Sequence, residues 1–240
     1  MLVRGKYVLT DGANGKSVFQ EDAAVLICQD TIREIGPYED LHRRYPQEDV
    51  AGDGTQILMP GLIDAHTHGA GLSYVQRGVT LDYLENALLK FATAFQLQPE
   101  TTAMLNAVRH IQNGCTTLHH NESGAALDPH LKETCARKIE GYQTTGIRLG
   151  FSPGVRNKNV LAYDDREFLK TLPPDLRQEA EPMVYIDQER AVDEYMEAFE
   201  DLYSKYNSAK TRIFFGPNWV QGSTDEFLRR VKERADQLHK

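Results

Sequence analysis

Apolar residues in the first 60 positions fall in short runs broken by turn formers; beyond Gly61 they alternate between strand-like runs and helical stripes. Residues 2–9 and 23–28 have β-type composition, and Asp11-Gly12-Ala13-Asn14-Gly15 between them carries two turn dipeptides. Residues 31–35 predict a third strand closed by Gly36-Pro37, residues 39–44 a short helix, and Ile57-Leu58-Met59-Pro60 the end of a further strand. These strands are too few to bury both faces of a sheet unaided.

The second part opens with a strand at 62–66. A helix is then expected from Leu84, Leu88, Phe91 and Phe95, and another from Met104, Val108 and Ile111, stopped by Asn113-Gly114. Residues 115–119 predict a strand. Asp128 predicts an N-cap with Pro129 in the first turn of a helix that buries Leu131, Cys135, Ile139 and Tyr142. A strand at 147–151 follows, then an irregular stretch over 152–186 with a short helix at 167–172. Val192, Tyr195, Phe199, Leu202 and Tyr206 mark a long helix. Residues 211–216 predict a fourth strand, and Ser223 with Glu226 a capping box for a last helix turning Phe227, Val231, Ala235 and Leu238 inward.

Four successive strand–helix units imply an α/β fold with a parallel sheet and right-handed crossovers. A closed (β/α)8 TIM barrel usually takes ~250 residues, more than positions 61–240 provide. The expected organisation is a β-rich unit over 1–60 and a partial TIM barrel of about four βα units over 61–240.

Charge and composition narrow the function. With 27 Lys+Arg against 35 Asp+Glu, the net charge of -8 argues against a nucleic-acid partner, since phosphate contact needs a basic face. The longest apolar run, 23–28, is far short of the ~20 residues that span a bilayer, so no membrane partner is expected. Three widely spaced cysteines support neither a disulfide framework nor a zinc ribbon. No signal peptide is expected, and the location predicted is the cytoplasm.

The sharpest chemical signal is Met59-Pro60-Gly61-Leu62-Ile63-Asp64-Ala65-His66-Thr67-His68. Positions two apart on a strand share a side, so Asp64, His66 and His68 are expected to project together, with the two imidazoles able to share one metal ion. This segment resembles the first barrel strand of the amidohydrolase superfamily, in the branch of cytosine and guanine deaminases and triazine hydrolases. Gly114-Cys115-Thr116-Thr117, Gly146-Ile147-Arg148 and Gly216-Pro217 with Trp219 resemble its later strand signatures. The resemblance implies a metal-dependent hydrolase that deaminates an aminated heterocycle. It also implies one divalent ion, zinc with iron as the alternative, held by His66 and His68, and Asp64 supporting that strand end.

The family's further ligands, on its fifth, sixth and eighth strands, and its catalytic glutamate would fall beyond Lys240. The resemblance therefore implies a chain truncated before the fifth strand and inactive alone, whose β-rich unit is half of a composite β-sandwich. The alternative is a non-catalytic half-barrel acting by self-association or with a complementary half.

Substrate-facing residues are expected in loops after the strands: Gln76, Arg156, Trp219 and Gln221, able to stack on and hydrogen-bond a flat polar heterocycle. His119 and His120 are adjacent, so only one can point inward. Of that pair, His120 is the candidate substrate contact, set against a structural role. His42, His110 and His130 have nothing nearby in sequence to recruit them. His239, at the end of the last helix, suits the helix dipole.

Overall fold

The structure, a computed structural model, describes residues 1–11, 15–83, 86, 87, 90 and 94–238. The helical stripe expected at Leu84, Leu88 and Phe91, the turn at 12–14 and His239 lie outside these residues. Two compact units divide the chain, Met1–Gly61 and Leu62–Lys240. Among the described residues no helix is long and apolar enough to cross a membrane.

In the first unit β1 (Leu2–Asp11), β2 (Ser17–Cys28) and β3 (Thr31–Pro37) form an antiparallel meander, with α1 (Tyr38–Arg44) after it. The short strands β4 (Val50–Ala51) and β5 (Ile57–Leu58) pair parallel to β1. β2 starts earlier than its apolar run predicts, because ladder pairing with β1 carries the polar residues as far as Ser17. The unbroken run has a physical reason: Ala24 and Leu26 pack with Leu2 and Leu41, while Ala23 and Val25 pack with Val8. Both sides of β2 are covered.

The second unit begins with β6 (Leu62–Thr67), followed by α2 (Pro99–Gln112), β7 (Cys115–Asn121), β8 (Gly124–Ala125) and α3 (Leu131–Thr145). Next come β9 (Arg148–Ser152), β10 (Gly154–Arg156), α4 (Asp165–Thr171), α5 (Pro174–Val184) and α6 (Gln188–Tyr206). β11 (Thr211–Ile213), β12 (Gly216–Pro217) and α7 (Asp225–Leu238) complete it. β6, β7, β9 and β11 form a parallel sheet in that order. Each of the last three runs on into β8, β10 or β12, which make a second, three-stranded parallel sheet at their carboxyl ends. The mixed α/β fold with a parallel sheet is the one the alternation of patterns predicts.

Helix stripes make the core. Cys135, Ile139 and Tyr142 of α3, Val192, Tyr195, Phe199 and Leu202 of α6, and Phe227 of α7 are buried against Leu118, Leu149 and Phe151 of the sheet. Burying a large apolar side chain contributes ~1.5–3 kcal/mol, so these stripes dominate the stability of the unit.

Several local features differ from the sequence reading. α3 begins at Leu131, because the Asp128 carboxylate closes a turn onto the His130 N–H (2.9 Å) instead of capping a helix that includes Pro129. The cap of α7 is Thr224, whose hydroxyl accepts from the Phe227 N–H, and not Ser223. α5 fills part of the stretch expected to be irregular. Pro174 at its first turn favours it, and Arg177 ties it to α4 by donating to the carbonyls of Leu169 and Lys170.

α2 turns small residues inward, Ala103 and Ala107, and leaves Val108 and Ile111 on the surface. The cause is close approach to α3: a Cβ on Gly141 would lie 2.6 Å from the Glu100 carbonyl oxygen. Only small side chains fit that contact.

The second sheet is tied down by Tyr195. Its hydroxyl donates to the Pro153 carbonyl (3.0 Å) and accepts from the Gly216 N–H (2.8 Å), joining β10 to β12 from beneath. Tyr195→Phe leaves both backbone groups without that partner. A loss of about 1–3 kcal/mol is expected in urea unfolding, with the helical circular dichroism unchanged.

Candidate functional site

β6 and β7 deliver the site. Their parallel register runs Ile63 opposite Thr117 and Asp64 opposite Leu118, then shifts before Thr67 meets His120. Such an irregularity reverses the facing of the residues after it. Asp64 and the two histidines therefore do not project together, contrary to the expectation from simple alternation. Asp64 reaches Nε2 of His110 on α2 at 2.8 Å. The rings of His66 and His68 instead converge at Asn121, on the carboxyl end of β7.

His110 is thereby recruited, which its sequence neighbourhood does not suggest. Its Nδ1 faces the Asn106 carbonyl (2.7 Å) and its Nε2 the Asp64 carboxylate, so both nitrogens meet acceptors. The hydrogen bond from His110 holds the Asp64 carboxyl below the ordinary range, against the opposing effect of burial. The other oxygen of Asp64 accepts from the His66 N–H (3.1 Å) and fixes the backbone between the two site histidines.

The ring centroids of His66 and His68 are 5.0 Å apart and nearly perpendicular. Two imidazoles bound to one tetrahedral ion through nitrogens at ~2.0–2.1 Å stand about 5 Å apart, so the spacing fits a shared ion. His68 donates from Nδ1 to the Asn121 carbonyl (2.9 Å), which leaves the lone pair on Nε2. The Asn121 amide nitrogen meets Nδ1 of His66 at 3.2 Å, placing the His66 proton on Nε2; turning that amide over would present oxygen and free Nε2. The donors suit a zinc-type ion in kind. They supply two of the three or more protein ligands that a catalytic site uses. Among the described residues no group of three or more His, Cys, Asp or Glu side chains is placed to hold an ion.

Asn121 was not apparent in the sequence as a functional residue. The signal was there in the period of the strand, since Asn121 shares a side with His119, two positions before it. His119 is half-buried, with Nε2 at 2.8 Å from the Ser152 hydroxyl, and its ring lies against Phe214. Burial lowers its pKa, and the neighbouring His66 adds to the shift.

His120 points the other way, into the helical layer. It is completely buried and stacks on Phe151, so the substrate contact expected of it does not fit its position. The Asn106 amide donates to the Tyr142 hydroxyl (2.9 Å), and that hydroxyl donates to Nδ1 of His120 (2.7 Å). Nε2 of His120 donates in turn to Glu122 (3.2 Å), which is ion-paired with Lys138. Burial lowers the His120 pKa, against the opposing effect of Glu122.

Burial pushes Glu122 the opposite way, but the hydrogen bond from His120 and the Lys138 charge prevail and hold its carboxyl at about 2. Gly69 closes the same space. At φ +60° it lies over this network, and a Cβ there would come within 2.3 Å of the His120 ring.

His66 and His68 open into a cleft of about 770 Å³, whose wall also includes Asn121, Arg156, Asn218 and Trp219. Arg156 and Trp219, expected from sequence to face substrate, thus share the space with the histidine pair. Gln76 and Gln221 do not line it. The Gln76 side chain accepts from Ser73 and Arg109, and Gln221 gives its carbonyl to Asn159.

A profile of the Amidohydrolase family matches residues 57–240, more than half of the chain. The chain belongs to the amidohydrolase family. This amidohydrolase is 25% identical over 175 residues to a 5-methylthioadenosine/S-adenosylhomocysteine deaminase of Nitratidesulfovibrio vulgaris, covering 70% of this chain and 36% of that protein. Its fold is similar to that of atrazine chlorohydrolase TrzN from Arthrobacter aurescens TC1 complexed with zinc, with TM-score 0.66, 21% identity and 99% and 51% of the two chains covered. It is similar also to guanine deaminase from C. acetobutylicum with bound guanine, with TM-score 0.61, 13% identity and 98% and 50% covered. At those identities the two structures show the shared fold. The amidohydrolase chain spans about half the length of each of them.

The depressed Glu122 carboxyl sets an acid dependence. A folded-state pKa of about 2, below the ordinary 4.5, adds stability above pH 4.5 that is lost as pH falls towards 2. Glu122→Gln is therefore expected to be less stable than the parent at pH 7. The difference should shrink steadily between about pH 4.5 and pH 2 in denaturant titrations at each pH.

Proposed function

We propose that residues 62–240 form the first half of a metal-dependent (β/α)8 barrel and that the complete protein hydrolyses a C–N bond, deaminating an aminated heterocycle. The first unit is then one part of a composite β-sandwich. The observation that carries this reading is the His66–His68 pair, set by Asn121 at the carboxyl end of β6 with a spacing suited to one shared ion. Relatives with deaminase names and the family membership support it.

His66 and His68 would hold the ion, zinc with iron as the alternative: His68 through Nε2, and His66 through Nε2 with the Asn121 amide turned so that its oxygen meets Nδ1. A divalent ion bound there supplies a Lewis acid that lowers the pKa of water to ~7. The chain's own residues do the positioning. Asn121 fixes the proton of His68 on Nδ1 and turns Nε2 to the cleft. Asp64, anchored by His110, holds the backbone N–H of His66 and so limits the movement of that ring. Trp219 offers a flat, half-exposed surface in the same cleft, suited to stacking on a heterocycle. The groups that move protons in the reaction belong, in this reading, to further barrel strands.

A second reading is a module that acts by association, with itself or with a complementary half. It is favoured by the exposure of Ile63 (70%) and Phe214 (42%) on one face of the parallel sheet.

Equilibrium dialysis against zinc tests the first reading. One ion per chain is expected, with affinity reduced about 100-fold or more in His66→Ala and in His68→Ala. A chain that takes up no zinc, or takes up as much without both histidines, overturns it. With metal restored, a longer chain carrying the further strands is expected to release ammonia from aminated heterocycles.

A further inference from the structure

The cleft contains, among the described residues, a cation with no counterion. Among the described residues of its wall, Glu122 and Arg156 are the ones with a formal charge at neutral pH, histidines aside. Glu122 is committed to Lys138 and His120. Arg156 makes no ion pair or hydrogen bond to a described side chain; its recorded contact is with Trp219, the guanidinium carbon lying 5.1 Å from the ring centroid.

That contact is built into the fold. Arg156 ends β10, and the loop carrying Trp219 follows β12, the neighbouring strand of the second sheet. The N–H groups of Asn157 and Lys158 donate to the Gly222 carbonyl (2.9 and 3.2 Å), and the Asn159 amide donates to the Gln221 carbonyl (2.7 Å). Three hydrogen bonds thus hold the two segments together. Gly222 leaves room between them: a Cβ there would lie 3.1 Å from Cβ of Arg156 and 3.2 Å from Cε3 of Trp219. Tyr163 stacks on the same indole, with centroids 6.4 Å apart.

A guanidinium beside an aromatic ring still has N–H groups along its edge, in the fork geometry that receives a carboxylate through two hydrogen bonds. An unpaired Arg in a largely apolar cleft is where such a pair gains most. We propose that the ligand of this cleft is a planar heterocycle bearing a carboxylate, the ring on the Trp219 surface and the carboxylate on the edge of Arg156. A carboxylate matches the planar two-donor edge of Arg156, where a tetrahedral phosphate does not share the plane of the stacked ring. The proposal rests on the reading of the cleft as a heterocycle site and adds the charge of the substrate to it.

Trp219 is the sole tryptophan of the chain, so intrinsic fluorescence reports on the cleft directly. The probes are 2-aminopyrimidine-5-carboxylate and its carboxamide, near-isosteres that differ in charge. The carboxylate is expected to change Trp219 emission and bind about tenfold or more tightly than the amide, with a preference that weakens as salt is raised. Arg156→Gln should equalise the two ligands, and Arg156→Lys, which keeps the charge and loses the fork, should retain part of the preference. Equal binding of the two probes by the parent chain, a preference that survives Arg156→Gln with zinc uptake intact, or no response to either probe overturns the proposal. Zinc dialysis on the same samples separates the two ideas. Zinc bound through His66 and His68 without a carboxylate preference removes this proposal alone, whereas a preference without zinc uptake removes the metal reading.

Discussion

The pairing of β6 with β7 shifts register between Asp64 and Thr67, and the placement of Asp64 and of the histidine pair follows from that shift. Ordinary alternation would send Asp64, His66 and His68 to one side. The irregularity instead releases the histidines toward Asn121 and commits Asp64 to His110 on α2. One strand end thereby serves two layers. Its helix-facing side is locked by the hydrogen bond between Asp64 and His110, and its other side presents two imidazole rings whose separation suits one ion.

Directly behind those rings lies a polar interior. Asn106, Tyr142, His120, Glu122 and Lys138 form a continuous chain of donors and acceptors through the helical layer. Burying such groups is unfavourable unless each finds a partner, and here each does. The result is directional. Phe151 and Gly69 confine the His120 ring, and Glu122 is tied two residues further on, so Asn121 between them has little freedom. A metal ligand oriented by a backbone carbonyl is only as well placed as the strand that carries it. On this view the buried network and the open site are two sides of the same strand.

The second sheet extends this logic to the far wall of the cleft. β8, β10 and β12 continue the strands of the first sheet, and Tyr195 joins β10 to β12 from below. Arg156 and Trp219 ride on those extensions and are therefore held by hydrogen-bonded backbone, where a free loop would let them wander. Gln76 sits on a similar stretch of sequence, yet its side chain is consumed in bracing a turn, and Gln221 contributes its backbone carbonyl to Asn159.

The order of strands and helices, the buried stripes of α3 and α6 and the chemical identity of the His-x-His pair were determined by the sequence alone. Each is encoded in local period or composition, and burial of those stripes is strong enough to override small local preferences. The inward face of α2 was not legible, because close approach at Gly141 selects Ala103 and Ala107 over the larger Val108 and Ile111. The start of α3 moved by two residues because Asp128 closes a turn instead of capping, and the cap of α7 moved by one, from Ser223 to Thr224. Only the tertiary structure decided the facing of Asp64, the recruitment of His110, the burial of His120 and the meeting of Arg156 with Trp219. These depend on strand register and on contacts between residues up to 63 positions apart, and a period read along one segment carries no information about its partner.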